Sequence, residues 1–128
     1  MNKVIGFVMV GTNELEKSSK FYDAVLAHLG MKRVTISENY ISYSHSSEDD
    51  GVKFYITKPL NKENATVGNG TMIALSAETK DMVDKFHKTA LENGAVDEGT
   101  PGVRSDGNYY GYVRDHDGNK ITARCVLG

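Results

Sequence analysis

Cysteine is nearly absent: Cys125 is the only one in the 128-residue chain. A lone cysteine cannot form an internal disulfide. That excludes the stapled secreted scaffolds and leads us to expect the cytoplasm. Long hydrophobic runs are missing too. None approaches the roughly 20 residues that span a bilayer, so no membrane partner is expected. Nor is there an excess of charge of one sign, since 17 acidic residues face 15 basic ones. Nucleic-acid binding needs a basic stripe or a high pI, and no nucleic-acid partner is expected. The N-terminal MNKVIGFVMVG has one lysine and a short apolar run. It passes straight into NELEKS without a small-residue cleavage pattern, so no signal peptide is expected. What is present is ordinary for a soluble globular chain, with 39% apolar and 25% charged residues. The length fits one domain around one core.

Residues 4–10, VIGFVMV, are short, apolar and rich in β-branched side chains, which predicts a strand. Asn13 followed by Glu16 predicts a reciprocal cap at a helix start. Leu15, Tyr22, Val25, Leu26 and Leu29 then recur on one helical face, and Gly30 is placed to end the helix. MKRVTI, NYISYSH and VKFYITK predict a three-strand meander. The separators Ser-Glu-Asn and Ser-Ser-Glu-Asp-Asp-Gly are turn chemistry, and Pro59 ends the last strand. After a polar link over residues 60–70 the pattern restarts. TMIALSA reads as a strand, Thr79 as an N-cap, and Met82, Val83, Phe86, Ala90 and Leu91 as a helical face closed by Gly94. Phe21 follows Phe7 by fourteen positions, and Phe86 follows Met72 by fourteen. KFYDAVLAHLG and KFHKTALENG look related. A period near 65 residues implies a duplicated half-domain, with modules at about 1–60 and 68–128 of a single 1–128 domain.

The most informative stretch is YYGYVRDHDGNKITARC, residues 109–125. Asp115-His116-Asp117-Gly118-Asn119 predicts a hairpin with a three-residue loop and Gly118 left-handed. The register then pairs Arg114 with Lys120, Val113 with Ile121, Tyr112 with Thr122, Gly111 with Ala123, Tyr110 with Arg124, and Tyr109 with Cys125. One face is small and apolar (Gly111, Val113, Ile121, Ala123, Cys125) and suits a surface under a helix. The other carries Tyr110, Tyr112, Arg114, Lys120, Thr122 and Arg124. It is either wet or the lining of a hollow, which two such units can form by curving into a half-barrel with helices outside. By the same alternation Phe7 and Met9 oppose Val8 and Val10, and Met72 points inward. An inward Arg124 must be paired, by a carboxylate such as Asp106 or by an anionic ligand. Tyr110 and Tyr112 are candidate lining residues. Arg114 and Lys120 read as solvent-facing. Cys125 reads as a small buried hydrophobe. The polar loop 102–108 could cover the mouth, with Arg104 or Asp106 at a ligand. His28, His45, His87 and His116 share no strand and no metal-ligand spacing, and read as surface residues.

These stretches resemble the vicinal oxygen chelate superfamily, the group of glyoxalase I, bleomycin resistance proteins and extradiol dioxygenases. The resemblance rests on VMVGTNELEKSSKFYDAVLAHLGMKR, GNGTMIALSA, VDKFHKTALENGA and above all NYYGYVRDHDGNKITARC. It implies an α+β fold of two βαβββ modules forming a half-barrel sheet around a cavity, and a homodimer. Metal-dependent members offer a histidine on the first strand, a histidine on the fifth and a glutamate on the last. Phe7, Met72 and Thr122 stand at those positions. Phenylalanine cannot ligate, a thioether is a poor ligand for hard or borderline ions, and a neutral threonine is weak. No metal at the usual place and no cofactor are therefore expected. The expected ligand-binding set is Phe7, Met72, Tyr110, Tyr112, Thr122 and Arg124, with no catalytic residue assigned. The implied function is capture of a small organic molecule, ligand or substrate, in the half-barrel. The alternatives are a metal-dependent lyase, isomerase or dioxygenase with non-standard ligands, of lactoylglutathione lyase-like or dioxygenase-like activity, and a non-catalytic binding or resistance module.

Overall fold

The computed structural model describes residues 4–45 and 51–128. The turn expected over residues 46–51 lies almost wholly outside the described residues. The first module runs β1 (Phe7–Gly11), α1 (Leu15–Ala27), β2 (Lys32–Ile36), β3 (Tyr40–Ser44) and β4 (Lys53–Thr57). The second runs β5 (Ile73–Ser76), α2 (Lys80–Glu92), β6 (Val96–Val103), β7 (Tyr109–Arg114) and β8 (Lys120–Cys125). Each module makes a four-stranded sheet, ordered β1-β4-β3-β2 and β5-β8-β7-β6. In both, a helical crossover brings the first strand parallel to the last, and the other pairings are antiparallel. The fold is α+β, with the two modules expected and sheets that stay open rather than closing into a barrel. The helices begin and end 65 positions apart, as the repeat predicts.

Alternation decides which face of each sheet is covered. In β4, Phe54 and Ile56 are buried beside the half-buried Lys53, Tyr55 and Thr57. In β8, Ile121, Ala123 and Cys125 lie under α2. The two helices pack on each other as well as on their sheets, joined by His28 Nε2 and Thr89 Oγ1 at 2.9 Å. One core results, in which Tyr22, Val25, Leu26, Phe54, Ile56, Val83, Phe86, Val113 and Ile121 are almost fully buried. Each such large side chain contributes about 1.5–3 kcal/mol by leaving water.

The helix starts differ from one another. Thr79 caps α2 as expected, accepting from the Met82 amide at 3.2 Å. The box expected at Asn13 and Glu16 does not form. Asn13 instead accepts from the Ala65 amide at 2.7 Å and donates its own amide to Asp117 at 2.9 Å. Helix α1 starts after Glu14 with no side-chain cap. The linker and the hairpin turn compete for Asn13, and these long-range partners override the local signal.

That hairpin turn joins the modules. Asp115 accepts from Tyr22 Oη at 2.6 Å, from the Asn119 amide at 2.9 Å and from the Asn119 side chain at 3.0 Å. Asn119 also donates to the Gly11 carbonyl at 2.9 Å. Burial and the Asp115 carboxylate push the Tyr22 phenol well above its ordinary range. The histidines need correcting here, because only His45 is exposed. His87 is 4% exposed and meets Asp97 at 3.0 Å, and the His116 side chain packs beside Asp117 at 3.2 Å. His87 follows Phe86 and sits one turn after Val83, so it falls at the margin of the buried helix stripe.

Candidate functional site

The faces turned away from the helices are where chemistry is exposed. On the first sheet this face carries Phe7 and Met9 from β1, Lys53, Tyr55 and Thr57 from β4, and Tyr40 and Ser42 from β3. Phe7 and Met9 are 56% and 46% exposed, while their neighbours Val8 and Val10 turn toward the core. The Tyr55 ring meets Phe7 edge-on at 5.0 Å and Tyr40 at 5.7 Å. A cavity of about 650 Å³ opens at the end of this face, lined by Met9, Tyr40, Thr57, Pro59 and Leu60 among others. A larger groove of about 1100 Å³ runs beside α1. Much of its charged rim is already in ion pairs, Arg33 with Asp23 and Lys17 with Glu14. We therefore place the candidate site on the sheets.

On the second sheet the β7–β8 register is the expected one at all six pairs, from Tyr109↔Cys125 to Arg114↔Lys120. The loop has the predicted geometry, with the Gly118 amide on the Asp115 carbonyl and Gly118 at φ +92°. The open face presents Ala74 and Ser76 from β5, Thr122 and Arg124 from β8, and Tyr110 and Tyr112 from β7. The rings of Tyr110 and Tyr112 are parallel within 2° and 5.6 Å apart. Arg124 lies 5.8 Å from the Tyr110 centroid and donates its Nε–H to the Tyr110 hydroxyl at 2.8 Å. That hydroxyl donates to Asp106 at 2.6 Å. The bond from Tyr110 holds the Asp106 carboxyl below its ordinary range, and Asp106 in turn raises the Tyr110 phenol. Asp106 therefore reaches Arg124 through a tyrosine, not as a direct ion pair. Arg114 and Lys120 are half-buried and share Glu98, at 3.0 and 3.7 Å, instead of pointing freely into solvent.

Four of the six expected ligand residues thus share one sheet: Tyr110, Tyr112, Thr122 and Arg124. Met72 sits just before β5 and is 42% exposed, and Phe7 lies on the other sheet. Thr122 is fully buried, and its hydroxyl donates to the Gly111 carbonyl at 2.6 Å. It presents no free atom to a ligand. Phe7, Met72 and this committed threonine do not fit a divalent cation, because they supply no carboxylate, imidazole or thiolate. Among the described residues no three His, Cys, Asp or Glu side chains converge on another such site.

Arg104 belongs with this face as well. The segment around it is not a loose cover. Strand β6 runs through Val103 and turns directly into β7, with the Arg104 amide on the Asn108 carbonyl at 2.9 Å. The Arg104 guanidinium lies 5.3 Å from the Tyr112 centroid and donates to the Thr100 carbonyl at 2.6 Å. A signal was available in the two glycines of β6. A Cβ at Gly99 would meet the Tyr112 ring at 2.8 Å, and one at Gly102 would meet Arg104 Nη1 at 2.9 Å.

A profile of the Glyoxalase/Bleomycin resistance protein/Dioxygenase superfamily matches residues 4–122. A glyoxalase/bleomycin resistance protein from Albidiferax ferrireducens T118 is 38% identical, with a TM-score of 0.89 over 98% of this chain and 100% of that one. Two more distant structures share the fold. They are a lactoylglutathione lyase from Agrobacterium tumefaciens and the fosfomycin resistance protein FosX from Mesorhizobium loti. The first is 15% identical, with a TM-score of 0.67 over 96% of this chain and 93% of that one. The second is 13% identical, with a TM-score of 0.69 over 99% and 94%. No curated protein matches. The chain belongs to the Glyoxalase/Bleomycin resistance protein/Dioxygenase superfamily.

Proposed function

We propose that this protein binds a small organic molecule against the open faces of its sheets, without a divalent cation at the family's usual metal position. The observation that carries this reading is the state of Thr122. By the family resemblance it stands where metal-dependent members place a carboxylate, and its hydroxyl is buried and committed to Gly111. Phe7 and Met72, at the two other positions, bring surface that suits an organic ligand rather than an ion. Tyr40, Tyr55, Tyr110 and Tyr112 add flat amphipathic faces with hydroxyls. The working unit in this reading is a homodimer in the cytoplasm. Exposed Ile5, Phe7, Met9 and Met72 are the kind of apolar surface that a second copy covers, leaving a hollow between facing sheets.

Two measurements test this. Elemental analysis of untagged protein should find far less than one divalent ion per chain. Thermal melting against a panel of small carboxylates and aromatics should show saturable stabilisation that grows as RT ln(1 + [L]/Kd). A stoichiometric metal bound at Phe7, Met72 and Thr122 would overturn the reading, and so would a panel without any saturable shift.

A further inference from the structure

We propose that the open face of the second sheet is a recognition site for a small organic dianion, attracted by the guanidinium groups of Arg104 and Arg124. The proposal rests on the reading above that this face lines the ligand site, and adds the chemical class of the ligand.

The face is a ladder of cations and rings. Arg124 lies against Tyr110, Tyr110 stacks on Tyr112, and both Arg104 and Lys120 lie over Tyr112 at 5.3 and 5.4 Å. Arg104, Arg114, Lys120 and Arg124 stand against the carboxylates of Glu98 and Asp106, a net charge of +2. The whole chain carries −2, so this concentration of positive charge runs against its composition. Glu98 is committed to Arg114 and Lys120. Among the described residues no carboxylate forms an ion pair with Arg104 or Arg124. Arg104 donates to one backbone carbonyl and Arg124 to one phenol. Most of their guanidinium N–H donors stay uncommitted.

The Tyr110 hydroxyl holds Arg124 by a hydrogen bond, and the Thr100 carbonyl beside the Tyr112 ring holds Arg104, so less side-chain freedom is lost when they bind. The free fork matches the oxygens of a carboxylate or phosphate two at a time. The position of Arg104 is also built into the backbone. The β6–β7 register shifts between Asp97 and Gly99 and again between Gly99 and Gly102. The two glycines leave the room that Arg104 and Tyr112 occupy. A face of net +2 that carries two guanidinium groups with free donors favours a ligand with two negative charges over one with a single charge.

Isothermal titration with phenyl phosphate, phthalate, benzoate and benzamide tests this on the intact protein. The two dianions should bind about tenfold or more tightly than benzoate, with benzamide weakest. Arg104→Ala and Arg124→Ala should each weaken the dianions about tenfold and leave benzamide within about twofold. Arg124→Lys keeps the charge but loses the fork, and should fall between. Gly102→Ala changes no charge, displaces only the end of Arg104, and should still weaken the dianions. Lys85→Ala, on the exposed side of α2, should change nothing. Melting curves confirm that each variant is folded. Binding that ignores ligand charge, or arginine variants no weaker than Lys85→Ala, overturns this proposal. If benzamide still binds in that case and Tyr112→Ala removes it, the open-face reading survives alone. If no probe binds at all, both fail.

Discussion

The two sheets have the same topology and a largely apolar covered face, yet their open faces differ row by row. In one row the first sheet carries Met9, Tyr55 and Ser42, where the second carries Ala74, Thr122 and Tyr112. Ser42 and Thr122 are both fully buried. The bulky ring has changed strands, from the one paired with β1 in the first sheet to the middle of the β6–β7–β8 ribbon in the second. In the next row Gly11, Thr57 and Tyr40 face Ser76, Arg124 and Tyr110. The first row exchanges one filler for another. The second exchanges a neutral hydroxyl for a guanidinium. Beneath the helices the exchanges are fewer: Ser18 and Tyr22 stand 65 positions before Val83 and His87, and all four are buried. Phe21 and Phe86, 65 positions apart, are 3% and 0% exposed. Helix packing keeps one face of each module mostly apolar, with its few polar groups paired, and leaves the other face freer to acquire a chemistry of its own.

The sharpest break of this comparison is between covered and open aromatics. Phe86→Ala should cost about 3–5 kcal/mol in chemical denaturation, because it empties a fully buried site on the covered side of α2. A loss below about 1 kcal/mol would mean that α2 is not packed as described. Tyr22→Phe should come next, at about 1–3 kcal/mol, by leaving the buried Asp115 carboxylate short of a donor across the module junction. Urea titration measures it, and a neutral result would show that the turn does not join the modules.

The acid limb of stability is smaller and has a definite sign. Burial opposes ionisation of Asp23, but the bonds from Arg33 and Tyr43 prevail and hold its carboxyl below the ordinary 3.8. Asp97 is held low first by the Gly99 amide and then by His87. A depressed carboxyl adds stability above its unfolded value and loses it as pH falls through its folded value. Melting temperature should therefore be flat above about pH 5 and drop from near pH 4 downward. In Asp23→Asn that drop should be shallower, and an unchanged drop would remove Asp23 from the explanation. The smallest effect belongs to the open face. Phe7→Ala should leave the stability of the monomer within about 0.5 kcal/mol. In the dimeric reading it should still shift sedimentation toward the monomer, and an unchanged dimer would place the interface elsewhere.

Much of this architecture is written in local periodicity. The six-pair hairpin register, the Thr79 cap and the opposed faces of β1 all follow from alternation and turn chemistry, which act over a few residues. Asn13, His87 and Arg104 show where that stops. Asn13 looks like a cap until Ala65 and Asp117 claim it, partners 52 and 104 positions away. His87 sits beside Phe86 on a polar-looking helix, and it is buried beside Gly111 of β7 with Asp97 across a turn, partners that no local pattern shows. Arg104 was legible as a residue near a ligand, but its place against Tyr112, beside the register shifts around Gly99 and Gly102, was not, since no period of two reveals such shifts. Thr122 was legible as a residue without a carboxylate at the family's usual metal position. That it would be sealed against Gly111 was not, since the sealing comes from packing between strands.

The most direct test of metal-free capture on the open faces is a titration of phthalate into ¹⁵N-labelled protein with a chelator present, followed amide by amide. Saturable shifts at Arg104, Tyr110, Tyr112 and Arg124, unchanged by the chelator, are the expected result. Shifts confined to the α1 groove, or shifts that appear only when a divalent cation is added back, would contradict it.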